Sequence, residues 1–155
     1  MSTIADNIAL VSSRIRAAAL AAHRDENSVQ LLAVSKTKPA QALREAYAAG
    51  LRDFGENYLQ EALGKQVELN DLPLIWHFIG PIQSNKTRPI AEHFDWVHSV
   101  DRLKIAQRLS EQRPAHLPRL QPRIGFRQRR QRPRLVPLPR PHRPAGRLRR
   151  RHRKR

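Results

Sequence analysis

The chain has 155 residues, a formal net charge of +17 and no cysteine, which excludes disulfides, thiolate metal sites and a cysteine nucleophile. No apolar stretch is long enough to cross a bilayer, and the amphipathic N-terminal segment carries Asp6, Arg14 and Arg16, unlike a signal peptide. We therefore expect a cytoplasmic protein with no membrane partner.

The charge is distributed unevenly along the chain. Acidic and basic residues balance through Gln112, whereas the last 43 residues contain 17 Lys and Arg, eight prolines and no acid. Prolines interrupt the few apolar residues of this tail, so it cannot bury enough surface to offset the entropy lost on ordering. We predict a folded domain over residues 1–112 and a disordered, Arg/Pro-rich tail over residues 113–155.

The amino-acid composition of the tail suggests its origin. Arg, Pro, Leu, His and Gln dominate it, and all are encoded by codons that begin with C, which a shifted reading frame of a GC-rich gene would supply. We interpret the tail as a frameshift product. The competing interpretation is a nucleic-acid-binding arm, because clustered arginines neutralise phosphates. Either origin predicts nonspecific, salt-dependent RNA binding and no specific nucleic-acid partner, since Phe126 is the only aromatic residue there for base stacking.

Helices and strands alternate in the pattern of the first 112 residues. Apolar spacing over residues 3–22 predicts a helix that begins with a Thr3/Asp6 capping box. Strands are predicted at 29–34, 51–54, 74–79 and 95–100, and the helices that follow them at 39–50, 57–69, 84–93 and 101–112. This order predicts an α/β protein with a parallel sheet of right-handed βαβ units. Four such units form one half of a (β/α)₈ barrel or, alternatively, a complete small open sheet. The hydrophobic periodicity does not distinguish these two architectures.

Ligands bind at the carboxyl ends of the strands in both architectures. Lys36 follows the first predicted strand with Lys38 close by, and a lysine amine freed of its proton by desolvation or a neighbouring cation forms Schiff bases with aldehydes. The alternative is an ordinary solvated lysine in a βα loop. His77 lies within the third predicted strand. The two interpretations of this residue are a histidine that faces a ligand and a structural histidine whose hydrogen bonds are made within the protein. The spacing of the histidines places no two on one helix face, so we predict no metal site.

Three motifs resemble one protein family. LLAVSKTKP at residues 31–39, FGENYLQE at 54–61 and WHFIGPIQSNK at 76–86 occur in the order and spacing of the pyridoxal phosphate homeostasis proteins, also called PLP-binding proteins. The similarity continues through VHSVD at 97–101 and covers residues 4–112. It implies a (β/α)₈ barrel of the TIM type, like the N-terminal domain of alanine racemase, of which this chain carries the first half.

The resemblance also implies a cofactor site and a function. Lys36 would hold pyridoxal 5′-phosphate (PLP) as a Schiff base, with Asn57 and His77 around the cofactor ring, in a protein of vitamin B6 homeostasis that has no established turnover. The alternative is a PLP-dependent amino-acid racemase, which needs a second base opposite the lysine, usually a tyrosine. Tyr47 and Tyr58 lie in no racemase-like motif. The later barrel units, which hold the cofactor phosphate in the family, have no counterpart after Gln112, and oligomeric state is left open.

Overall fold

A computed structural model describes residues 2–118, together with the backbone of residues 121–122. It confirms the α/β class and the four βα units that follow an N-terminal helix. The helices are α1 (Ile4–Ala21), α2 (Ala40–Ala48), α3 (Leu59–Glu68), α4 (Thr87–His93, preceded by the 3-10 turn Ser84–Lys86) and α5 (Leu103–Gln112). The strands are β1 (Ala33–Val34), β2 (Asp53–Glu56), β3 (Ile75–Phe78), β4 (Trp96–Val97) and β5 (Gln121–Pro122).

The strands form one parallel sheet in the order β1-β2-β3-β4-β5, so each strand pairs with its neighbour in the chain. Sequential parallel pairing is the order found along the wall of a (β/α)₈ barrel. The register aligns Val34 with Gly55 and Gly55 with His77, which places these residues on one face of the sheet. Ala33, Phe54 and Trp76 are aligned in the same way on the other face, which we call the helix face.

The hydrophobic core lies between the helix face and the helices. Phe54, Phe78 and Val97 from the strands are at most 3% exposed there. They belong to one cluster with buried residues from the helices and loops, including Leu43, Ala62, Leu69, Ile90, Phe94, Ile105 and Leu109. The opposite face, which we call the inner face, is more open: Val34 is 54% exposed and Ile75 is 36% exposed. In a closed barrel this face would line the interior.

The start of α1 follows the sequence prediction closely. The Thr3 backbone N–H donates to Asp6 Oδ2 at 2.9 Å, and the Asp6 backbone N–H donates to Thr3 Oγ1 at 3.1 Å, which completes the predicted capping box. After α2 the chain turns at Gly50, whose φ of +102° is readily adopted only by glycine. The start of α1 and the end of α2 therefore follow from local residue chemistry.

Described structure continues beyond Gln112, the predicted end of the domain. The Arg113 guanidinium donates to the backbone carbonyls of Ala91, Phe94 and Pro118, and β5 pairs with the free edge of β4. Composition did not indicate this extension, because it depends on an open strand edge and on carbonyls at the end of α4. Residues 119–120 and 123–155 lie outside the described residues, as do the predictions of disorder, frameshift and RNA binding made for them. Within the described residues, no helix is both long and apolar enough to span a membrane.

Candidate functional site

Lys36 lies where the sequence places it, directly after β1 at the carboxyl edge of the sheet. The Ser35 backbone N–H donates to the Gly55 carbonyl at 3.0 Å, which continues the pairing of β1 with β2 by one residue. Ser35 is buried, whereas Lys36 is exposed. Lys36 lies in the turn at residues 35–38, which the Lys38 backbone N–H closes by donating to the Ser35 carbonyl at 3.1 Å. The amine is therefore accessible at the carboxyl edge of the sheet.

The loop between β1 and α2 (residues 35–39) is held on the N-terminal side of Lys36 by a network of charged side chains, which consists of Lys65, Glu56 and Glu61. Lys65 in α3 is 6% exposed, and its ammonium donates to the Ser35 carbonyl at 2.8 Å, to Glu56 Oε1 at 2.8 Å and to Glu61 Oε1 at 2.6 Å. Ser35 Oγ donates to the same Glu56 oxygen at 2.6 Å. All three ammonium protons of Lys65 thus have acceptors, as a buried cation requires.

The same network holds the loop on the other side of Lys36. The Thr37 backbone N–H donates to Glu61 Oε1 at 2.6 Å. The Lys65 hydrogen bond and this backbone hydrogen bond lower the pKa of the Glu61 carboxyl below its ordinary value of 4.5, against an opposing effect of desolvation. Thr37 has a φ of +62°, a conformation that is costly for a β-branched residue. The contact with Glu61 fixes this strained residue immediately beside Lys36.

Asn57 follows β2 in a turn that depends on Gly80. A Cβ atom at Gly80 would lie 2.5 Å from the Asn57 backbone oxygen, so only glycine fits beside it. The Asn57 side chain is half-buried, and its Oδ1 atom is buried without a hydrogen-bond partner among the described residues. Asn57 and Tyr58 line a cleft of about 530 Å³ together with Pro81, Gln83 and Lys86. This cleft lies beside the turn that follows β2.

His77 lies on the inner face and is fully engaged by protein groups. Its Nε2 atom is 2.8 Å from Asp53 Oδ1, and its Nδ1 atom is 3.0 Å from His98 Nε2. Both ring nitrogens of His77 therefore have protein partners, and the tautomer decides which of them donates. Trp96 stacks on the His77 ring with a centroid distance of 5.6 Å and an interplanar angle of 5°. His77 has the hydrogen bonds of a structural histidine, and its predicted role toward a ligand stays a prediction.

The three predicted site residues share the carboxyl half of the sheet but not one cleft. His77 lines an inner-face cleft of about 250 Å³ with Leu32, Ile75 and Trp96, which is separate from the cleft at Asn57. Lys36 lines neither of these two clefts. Lys36 lies two strands away from His77, in the turn beyond the carboxyl end of β1.

Sequence reasoning missed Lys65, Asp53 and His98. The spacing of Glu61 and Lys65 indicates an i,i+4 ion pair, but such pairs usually lie on exposed helix surfaces. The burial of Lys65 depends on the loop between β1 and α2, which covers this residue. Asp53 was predicted to be in a strand without a functional role, and it also accepts a hydrogen bond from Gln30. The alternation of Asp53 and Gly55 along β2 was the available signal for its inner-face position.

The two tyrosines occupy different surroundings. Tyr47 lies in α2 beneath the Arg52 guanidinium, which is 3.8 Å from the ring centroid. Tyr58 precedes α3 and is 55% exposed beside Asn57. Neither residue has a described contact with Lys36.

Comparison with known proteins identifies relatives over most of the described chain. A pyridoxal phosphate homeostasis protein of Pseudomonas aeruginosa PAO1 is 83% identical over 120 residues, which are 77% of this chain and 52% of the relative. The protein of the same name from Escherichia coli K12 is 56% identical over 123 residues, 77% of this chain and 53% of the relative. The matched part of this chain is homologous to the pyridoxal phosphate homeostasis proteins. No family model matches the chain.

Solved structures support the same relationship. PipY of Synechococcus elongatus PCC7942, solved with PLP bound, is 54% identical and superposes with a TM-score of 0.57 over 70% of this chain and 47% of its own. An unknown protein from Bifidobacterium adolescentis is 33% identical, with a TM-score of 0.62 over 70% of this chain and 48% of its own. The chain thus spans about half the length of the relatives it matches. A match of 120 residues also extends past Gln112, in agreement with the described structure of residues 113–118.

Proposed function

We propose that this chain binds pyridoxal 5′-phosphate through Lys36 and acts in PLP homeostasis as a binding protein without catalytic turnover. PLP supplies an aldehyde that condenses with a primary amine to form a C=N bond, with the aldehyde oxygen leaving as water. The observation that carries the proposal is the placement of Lys36, which is exposed at the carboxyl edge of the sheet between two residues that buried or partly buried charged groups anchor. The PLP bound in the related PipY structure supports it.

The three predicted site residues differ in how they fit such a ligand. Lys36 presents an accessible amine at the carboxyl edge of a parallel sheet, where α/β proteins bind ligands. Asn57 lines the neighbouring cleft of about 530 Å³. His77 lines a separate inner-face cleft with both ring nitrogens engaged by Asp53 and His98, so its place beside the cofactor ring rests on the motif resemblance.

Binding through Lys36 is testable by visible absorbance of the full 155-residue chain during titration with PLP. We expect a saturable Schiff-base band that is lost in Lys36→Ala, because the backbone on both sides of Lys36 is held at this edge. Lys104→Ala is the matched control, since it removes an exposed lysine from α5. A band of unchanged amplitude in Lys36→Ala, or its loss in Lys104→Ala alone, would contradict the assignment of Lys36.

The absence of turnover is the second part of the proposal. A racemase requires a base on the side of the cofactor opposite the lysine. Tyr47 is engaged by Arg52, and Tyr58 is largely exposed beside Asn57, which supports a binding role over racemisation. Incubation of the PLP-treated chain with L-alanine should leave its optical purity unchanged. Conversion to the D form that depends on Lys36 would favour the racemase.

A further inference from the structure

We propose that Lys65 and Glu61 are positioning residues for Lys36: their ion pair holds the β1–α2 loop in the conformation that presents the Lys36 amine to an aldehyde. This inference rests on the proposed function and deepens it, because it names the residues of this chain that set the reactivity of the binding lysine. The observation behind it is the burial of the Lys65 ammonium, whose acceptors are the Ser35 carbonyl, Glu56 and Glu61.

The contacts of the network converge on the loop. Lys65 donates to the Ser35 carbonyl, and Glu61 accepts from the Thr37 backbone N–H. These are the residues immediately before and after Lys36. Each is held within 2.8 Å by a charged group, and hydrogen bonds to charged groups are shorter and stronger than neutral ones. The backbone of Lys36 is therefore fixed from both sides while its side chain stays free.

The burial of the network argues against a purely structural function. Glu56 is fully buried, and only one of its two carboxylate oxygens has a hydrogen-bond partner within the part of the chain that the structure describes. Buried ion pairs of this kind stabilise a fold little, because the cost of desolvation offsets the attraction. The strained φ of Thr37 adds a further cost at the same place. Costs gathered beside one reactive residue are typical of functional sites, where they maintain a required geometry.

Two variants test the positioning role without leaving an unpaired buried charge. Glu61→Gln changes a partner that is 30% exposed and replaces the carboxylate acceptor of Lys65 and of the Thr37 N–H with a neutral amide oxygen. The double variant Glu56→Gln/Lys65→Met removes both members of the buried pair together and leaves the Ser35 carbonyl with the Lys38 backbone N–H but without its charged donor. Glu68→Gln is the matched control, because it removes one negative charge from an exposed position on the same helix.

The first readout is the rate of PLP capture and the site of capture. Schiff bases are trapped with borohydride, and peptide mapping then gives the ratio of label on Lys36 to label on Lys38. In samples whose circular dichroism matches wild type, we expect the rate to fall about tenfold in the double variant and about threefold in Glu61→Gln. The ratio should fall with the rate, and Glu68→Gln should match wild type. Unchanged rate and ratio in both folded variants, with a Lys36 band present in wild type, would overturn the positioning role and leave the proposed function standing.

The second readout needs no PLP and so separates the two proposals. Amide hydrogen exchange of the peptide that spans residues 35–38 should be faster in both variants than in wild type, because the Thr37 N–H loses its charged acceptor or the neighbour that orients it. Equal protection in wild type and both variants would refute the positioning role directly. Faster exchange in the variants, with no Lys36-dependent band in wild type, would support the anchoring and refute PLP binding by this chain.

Discussion

Replacement of Gly80 by alanine should destabilise the fold at the turn that carries Asn57. The added Cβ would lie 2.5 Å from the Asn57 backbone oxygen and 3.0 Å from its Cα. Ordinary van der Waals contact requires about 3.5 Å, so the two backbone segments would have to separate by roughly 1 Å. Backbone atoms cannot rotate away as a flexible side chain can. We therefore expect a cost at the level of overpacking a core, about 1–3 kcal/mol.

Gly64→Ala is the matched control for this prediction. Gly64 lies in α3, and a Cβ there would meet no atom within 4 Å. Alanine is the better helix former by about 1 kcal/mol, so this variant should be slightly more stable than wild type. The same substitution at two glycines is then predicted to act in opposite directions, which excludes a general effect of alanine.

Thermal unfolding of the full chain, followed by far-UV circular dichroism, measures both variants. At about 4 °C per kcal/mol for a domain of this size, Gly80→Ala should lower the midpoint by roughly 4–12 °C. Gly64→Ala should raise it by a few degrees at most. A Gly80→Ala midpoint within 1 °C of wild type would refute the reasoning from close backbone approach, and so would an equal loss in both variants.

Two further predictions concern the cap of α1 and the charge of Glu61. Thr3→Ala removes the Oγ1 acceptor of the Asp6 N–H and should cost about 1 kcal/mol in urea unfolding, whereas Thr3→Ser should be neutral; equal losses in both would contradict the capping assignment. Because the folded pKa of Glu61 lies below 4.5, its ionisation contributes stability that is complete above that value and is lost as pH falls through the folded pKa. The midpoint difference between wild type and Glu61→Gln should therefore be constant from about pH 5 to 8 and shrink below about pH 4, and a difference that grows in acid would refute it.

The order of the elements could be predicted from the sequence because hydrophobic period is a local property. Every predicted helix and strand is present, and the capping box of Thr3 and Asp6 marks the start of α1 correctly. Strand lengths were predicted less well. The apolar run 29–34 forms a strand only at Ala33–Val34, because pairing with β2 begins where Phe54 meets Ala33. The extent of a strand depends on its partner, which no single segment encodes.

The candidate site was predictable to a different degree at each residue. The place of Lys36 after β1 followed from the chain pattern, and the motif resemblance assigned its role. The hydrogen bonds of His77 could not be predicted, since Asp53 and His98 reach it from two other segments of the chain. Lys65 was missed for the same reason. Its burial arises only when α3 packs against the loop after β1.

The anchoring of Ser35 explains how a buried serine and an exposed lysine can be adjacent in the sequence. Glu56 and Lys65 hold Ser35, and the chain turns directly after it, which leaves Lys36 exposed. A register shift of one residue would place Lys36 among the buried charges and expose Ser35 instead. The hydrogen bonds of Glu56, Glu61 and Lys65 thus determine that Lys36, and not Ser35, is exposed, and they also hold the backbone on both sides of Lys36. The buried ion pair thus specifies the register of β1 at its carboxyl end, and under the proposed function the capture of PLP by Lys36 would depend on that register.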